Sequence, residues 1–168
     1  NIFMSRVDDP TDFDYFPLSP SPADAIAGNV TNSYGLIGDV VTCLIAYNDD
    51  TLIVGCDSSI HILRGDPGAG GQVDLVTRAI GIAFGLPWCV DPTGTVYFFS
   101  NRTGIFSLVP GQAPQRISDS IQQTLQEIDT GTFGVCMGWD DRFQGLNLFV
   151  TPLTEPGETT HFYSDQRN

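Results

Sequence analysis

The chain contains no lysine: its seven basic residues are all arginine, set against twenty acidic ones, for a formal net charge of −13. A surface of that sign repels polyphosphate and anionic lipid, so no specific nucleic-acid binding is expected. No C-x-x-C pair occurs among the four cysteines, which removes the usual zinc spacing. No apolar run is long enough to span a membrane, and no secretory signal precedes the first strand-rich stretch. Gly65–Gly71 lacks the lysine and Ser/Thr of a phosphate loop, so nucleotide binding is not expected either. Helical periodicity is scarce, whereas eighteen glycines and eleven prolines punctuate many short apolar runs. That pattern belongs to an all-β fold.

What is present is a recurring layout. Thr42–Val54, Trp88–Phe99 and Val135–Phe149 each carry a cysteine-bearing strand, an Asp-centred turn and a strongly apolar strand. The cysteines stand at 43, 89 and 136, intervals of 46 and 47 residues. A period in the forties built from short strands is the signature of a β-propeller blade. The expected architecture is a propeller-like array of short antiparallel blades. Residues 1–38 then form the end of a preceding blade and an acidic, Pro/Gly-rich loop. Repeats follow over 39–84, 85–131 and, incompletely, 132–168.

The middle repeat is the clearest. Thr95–Ser100 and Gly104–Val109 flank the loop Asn101–Thr103, and Gly104 supplies the left-handed residue that such a loop needs. Pairing about the loop puts Val96, Phe98, Phe106 and Leu108 on one face and Tyr97, Phe99, Ile105 and Ser107 on the other. Both faces are largely apolar, so both should be covered. In the first repeat, regular pairing about Asn48–Thr51 puts Cys43 opposite Cys56. A cross-strand disulfide is conceivable there, but free core thiols are preferred. Third strands are expected at Ile60–Leu63 and His161–Ser164, and an outer strand at Val73–Ile80. A helix is expected over Ser118–Ile128, with Ile121, Leu125 and Ile128 as its apolar stripe and Ser118 or Ser120 as its cap. Three repeats fall short of the about four to eight blades of a closed ring. The chain is therefore expected to be part of a longer polypeptide or to be closed by another chain.

Ser5-Arg-Val-Asp-Asp-Pro-Thr-Asp-Phe13 resembles the S-x-x-x-D-P-x-x-F stretch of propeller-containing tail proteins of tailed bacteriophages. Asp49–Val54, Ile60–Asp66 and Gly94–Ser100 look like their blade strands. The resemblance is to the nozzle or tail-tubular class. It implies a non-catalytic virion component that forms a homo-oligomeric ring with other tail or neck proteins, and it brings no catalytic residue and no cofactor.

Other signals have bland readings. Asp8, Asp9, Asp12 and Asp14 could gather around calcium, but they lack the D-x-[DN]-x-[DN]-G spacing, and local turn bonding is preferred. His61 and His161 have no ligand-spaced neighbours and read as packed or surface residues. The Arg64-Gly-Asp66 tripeptide and the sequons at Asn29 and Asn101 are too short to support a reading. The preferred interaction residues are Asp8, Asp12, Phe13, Tyr15 and Phe16, which join exposed charge to rings that a loop would not otherwise keep in water. Two other classes stay open: an extracellular propeller binding glycans or proteins, with Trp88 and the aromatics of 13–16 as contacts, and part of a propeller hydrolase or lyase.

Overall fold

The computed structural model describes residues 2–19, 21, 23–28, 37–65, 71–101 and 103–153. The described chain is all-β with one short helix. Strand β1 (Ile2–Met4) pairs antiparallel with β2 (Ile26–Gly28). A four-stranded meander follows, made of β3 (Val41–Asn48), β4 (Thr51–Cys56), β5 (Ile60–Arg64) and β6 (Gln72–Thr77). A second meander contains β7 (Trp88–Val90), β8 (Val96–Ser100), β9 (Gly104–Leu108) and β10 (Gln115–Arg116). The last pair is β11 (Phe133–Asp140) with β12 (Gly145–Pro152). The expected strand at His161–Ser164 lies outside the described residues.

The first hairpin of each of the last three sheets closes on the same local chemistry. The Asp50 N–H donates to Asn48 Oδ1 at 3.0 Å, the Thr93 N–H to Asp91 Oδ1 at 2.8 Å, and the Arg142 N–H to Asp140 Oδ1 at 2.8 Å. A short side-chain acceptor bonding the backbone two residues on mimics a turn, which is why Asn or Asp recurs there. Cys43, Cys89 and Cys136 all lie on the first strand of their sheets.

Regular pairing fails in the first meander. Cys43 pairs with Gly55 and Cys56 with Val41, so the two cysteines are not opposite each other. Extra residues at Thr42 and Tyr47 bulge the strand and slip the register. Tertiary contacts account for both bulges. The Thr42 hydroxyl donates to the Ile82 carbonyl at 2.8 Å. Tyr47 packs against the core beyond, where a Cβ on Gly94 would lie 3.0 Å from its hydroxyl. Cys43 and Cys56 are buried free thiols, and burial pushes the Cys43 thiol up to about 11.

The second meander pairs as the alternation of its residues dictates, with Val96 opposite Leu108 and Phe98 opposite Phe106. That face joins Ile45, Ile53, Ile60 and Ile62 of the first meander in one core. The opposite face, with Phe99, Ile105 and Cys89, packs on Leu125, Val135 and Met137. The sheet is thus buried on both sides, and Phe98 and Phe99 are fully buried. Residues between the meanders bond to both: the Ile82 N–H donates to the Cys56 carbonyl, and the Ala83 N–H to the Phe99 carbonyl.

The helix is shorter than its apolar stripe suggests. A 3-10 turn at Asp119–Ile121 leads into α1 (Gln122–Gln126). Leu125 is buried, but Ile121 remains half exposed. Ser118 does not cap the helix; its hydroxyl accepts the Ile105 N–H at 3.0 Å and so ties the segment to β9.

Candidate functional site

The acidic aromatic segment is built from consecutive turns. Asp9 Oδ1 accepts both the amide and the hydroxyl of Thr11, at 3.0 and 2.7 Å. These bonds hold the Asp9 carboxyl below its ordinary value. Asp91-Pro92-Thr93 repeats the arrangement, with 2.8 and 2.7 Å bonds to the Thr93 amide and hydroxyl. The D-P-T piece that carries the family resemblance is therefore a turn element in both places. Asp12 Oδ1 then accepts the Asp14 N–H, and Asp14 Oδ1 the Phe16 N–H. Arg6 lies 3.6 Å from Asp12 across the loop. Asp8 adopts φ +66°. The Asp9, Asp12 and Asp14 carboxylates are thus engaged in turns, and among the described residues no three His, Cys, Asp or Glu side chains stand together as a metal site.

The rings fall into two groups. Tyr15 contacts Phe3 at 5.9 Å and Phe13 at 6.3 Å between ring centroids, a small platform at the start of the chain. Phe16 and Leu18 stand clear of it, 91% and 107% exposed. Trp88 instead packs against the core between the meanders. It is a wall of that core rather than an open contact.

A second polar constellation was not legible in the sequence. Asp39, just before β3, meets the Ser58–Ser59 turn and His61 of β5 around a cavity of about 420 Å³ that Gly38 and Arg78 also line. Asp39 Oδ2 accepts the Ser58 amide and the Ser58 and Ser59 hydroxyls, at 2.9, 2.8 and 2.8 Å. Ser59 Oγ lies 3.2 Å from His61 Nε2. Burial alone raises the Asp39 carboxyl, but the Ser58, Ser59 and Val40 bonds outweigh it and hold the group down at about 2. Because a carboxylate only accepts, the single Ser59 proton goes to Asp39, and Ser59 Oγ must accept from His61. That assigns the Nε2–H tautomer to a ring whose burial lowers its pKa. In this arrangement serine lies between carboxylate and imidazole, so its proton is directed away from the base. The order suits locking two turns together rather than generating a nucleophile. Only His61 stood out in the sequence, and its partners lack any motif spacing.

Among the described residues no helix is long and apolar enough to cross a membrane. No protein-family model, curated protein or solved structure matches this chain.

Proposed function

We propose that the chain is part of a β-propeller that serves as a non-catalytic structural component of a phage virion, within a nozzle-like ring of the tail or neck. The observation that carries the reading is the face-to-face stack of the last three antiparallel sheets, two of them four-stranded meanders, with a buried core between each neighbouring pair. Blades stack in that manner, and a two-sheet sandwich has no sheet covered on both faces. The recurring Asn48, Asp91 and Asp140 turns and the first-strand position of the three cysteines support blade-like units. The virion role rests on the Ser5–Phe13 stretch and the blade strands that resemble phage tail proteins.

Further blades would pack where the stack ends. Val135 and Met137 face the second meander, so strand alternation turns Cys136 and Phe149 to the opposite side. Phe149 is 56% exposed there. A further sheet over this face, from a longer polypeptide or a neighbouring subunit, extends the array. Electron microscopy of purified particles with mass spectrometry for this chain tests the proposal, and the chain is expected in a ring at the tail or neck. Recovery only as a soluble monomer overturns it, as does turnover of a sugar or ester substrate that a point mutation abolishes.

A further inference from the structure

From the acidic aromatic segment we infer a docking surface for a different, basic protein rather than for a second copy of this chain. The inference rests on the structural-component reading and names the partner that one of its surfaces fits.

The segment combines three properties. Phe16 and Leu18 are almost fully exposed, a costly way to leave two large apolar side chains unless something covers them. The backbone presenting Phe16 is already ordered, because Asp14 Oδ1 accepts the Phe16 amide at 3.0 Å and Asp12 Oδ1 accepts the Asp14 amide at 2.9 Å. Binding therefore pays little to order the loop. The third property is charge: residues 2–19 hold four aspartates, Asp8, Asp9, Asp12 and Asp14, against the single Arg6.

Charge decides the occupant. Two copies meeting through this surface would bring their aspartates together, since a two-fold contact pairs each patch with itself. A head-to-tail contact needs a basic patch elsewhere on the chain. Basic residues are few and scattered along the sequence, seven arginines with no lysine, and three of them, Arg6, Arg64 and Arg116, already pair with an aspartate of their own chain. With seven basic residues against twenty acidic ones, the chain is a poor source of the complement to its own acidic loop. The fitting partner is a protein presenting arginine or lysine around an apolar pocket that takes Phe16 and Leu18, with the charges steering the encounter and setting its register.

The test uses the full chain and two synthetic amphipathic peptides, one alternating arginine with leucine and one with glutamate in place of arginine. Fluorescence anisotropy is expected to detect binding of the arginine peptide only. Two double or triple variants, Phe16→Ser with Leu18→Ser, and Asp8→Asn with Asp12→Asn and Asp14→Asn, should each weaken it by roughly tenfold or more. Asparagine keeps the turn acceptors while removing the charge, so a loss in that variant reports electrostatics rather than a collapsed loop. Sedimentation of the chain alone should be the same with and without Phe16 and Leu18. Equal binding by wild type and the serine variant overturns the inference, since it reduces the effect to general acidity. Binding of the glutamate peptide overturns it too, as does self-association that the serine variant abolishes, which makes a second copy the occupant. Failure to find the chain in virions would leave these solution results unchanged, so the two proposals fail separately.

Discussion

Gly104 adopts φ +96°, and a Cβ there would run into the Ser118 hydroxyl and lie 2.8 Å from Gln122 Oε1. Backbone and packing both exclude a side chain. Gly104→Val should therefore cost about 2–5 kcal/mol, measured by denaturant unfolding, from left-handed strain plus overpacking. Asp39 is the other residue on which a local structure turns. Its three Oδ2 bonds tie the entry to β3 to the β4–β5 turn. Asp39→Ala removes a charged acceptor from three donors and should cost about 1.5–3 kcal/mol. Because the carboxyl is held at about 2 against an ordinary 3.8, its contribution is complete above pH 4 and is lost as pH falls towards 2. His61 titrates higher. Its folded pKa lies below the ordinary 6.5, so the unfolded chain binds the proton first as pH drops below that value. The melting temperature should decline between pH 7 and pH 5, and His61→Gln should flatten the decline. An unchanged slope in that variant would remove His61 from the account.

At the scale of the element, the second meander holds the stack together. Phe98 lies on the face shared with the first meander and stacks on Phe106 with ring centroids 5.6 Å apart. Phe98→Ala should cost about 3–5 kcal/mol, since a sheet enclosed on both sides cannot collapse onto the cavity. The turn that starts this meander is set by Asp91, which accepts the amides of Thr93 and Thr95 and the Thr93 hydroxyl. Its other oxygen accepts the Tyr97 hydroxyl at 3.2 Å. Asp91→Asn retains a carbonyl acceptor and should lose less stability than Asp91→Ala, a difference readable in urea melts. Equal losses would mean that charge, not turn geometry, dominates at this hairpin.

Across the whole molecule, protection should follow the stack. The two four-stranded meanders share one core, whereas β1–β2 and β11–β12 are two-stranded and carry exposed residues such as Phe3 and Phe149. Two-stranded sheets are marginal without further cover. Hydrogen exchange should therefore be slowest at Ile53, Ile62, Phe98 and Phe106, and fastest among strand amides in β1 and β12. Binding of a further sheet over Phe149 should slow β12 specifically. Uniform protection of all four sheets in the isolated chain would contradict this gradient.

Most strand positions, though not β2 or β10, the Asn48, Asp91 and Asp140 turns, the Phe98–Phe106 pairing and the conformation of Gly104 were legible in the amino-acid order. Each rests on chemistry within a few residues: side-chain alternation, a short acceptor beside its own backbone, a missing Cβ. The register of β3 against β4 was not, because Thr42 and Tyr47 bulge to reach Ile82 and the neighbourhood of Gly94, partners some forty or more residues away. Local pairing rules carry no information about those partners. The role of Ser118 was not legible either, since its hydroxyl accepts the Ile105 N–H of β9 rather than a backbone N–H of its own helix. The Asp39–Ser59–His61 chain likewise depends on a loop meeting a turn about twenty residues further on. A carboxylate, a hydroxyl and an imidazole at unremarkable spacings become one hydrogen-bonded unit only when tertiary packing brings the loop before β3 against the β4–β5 turn.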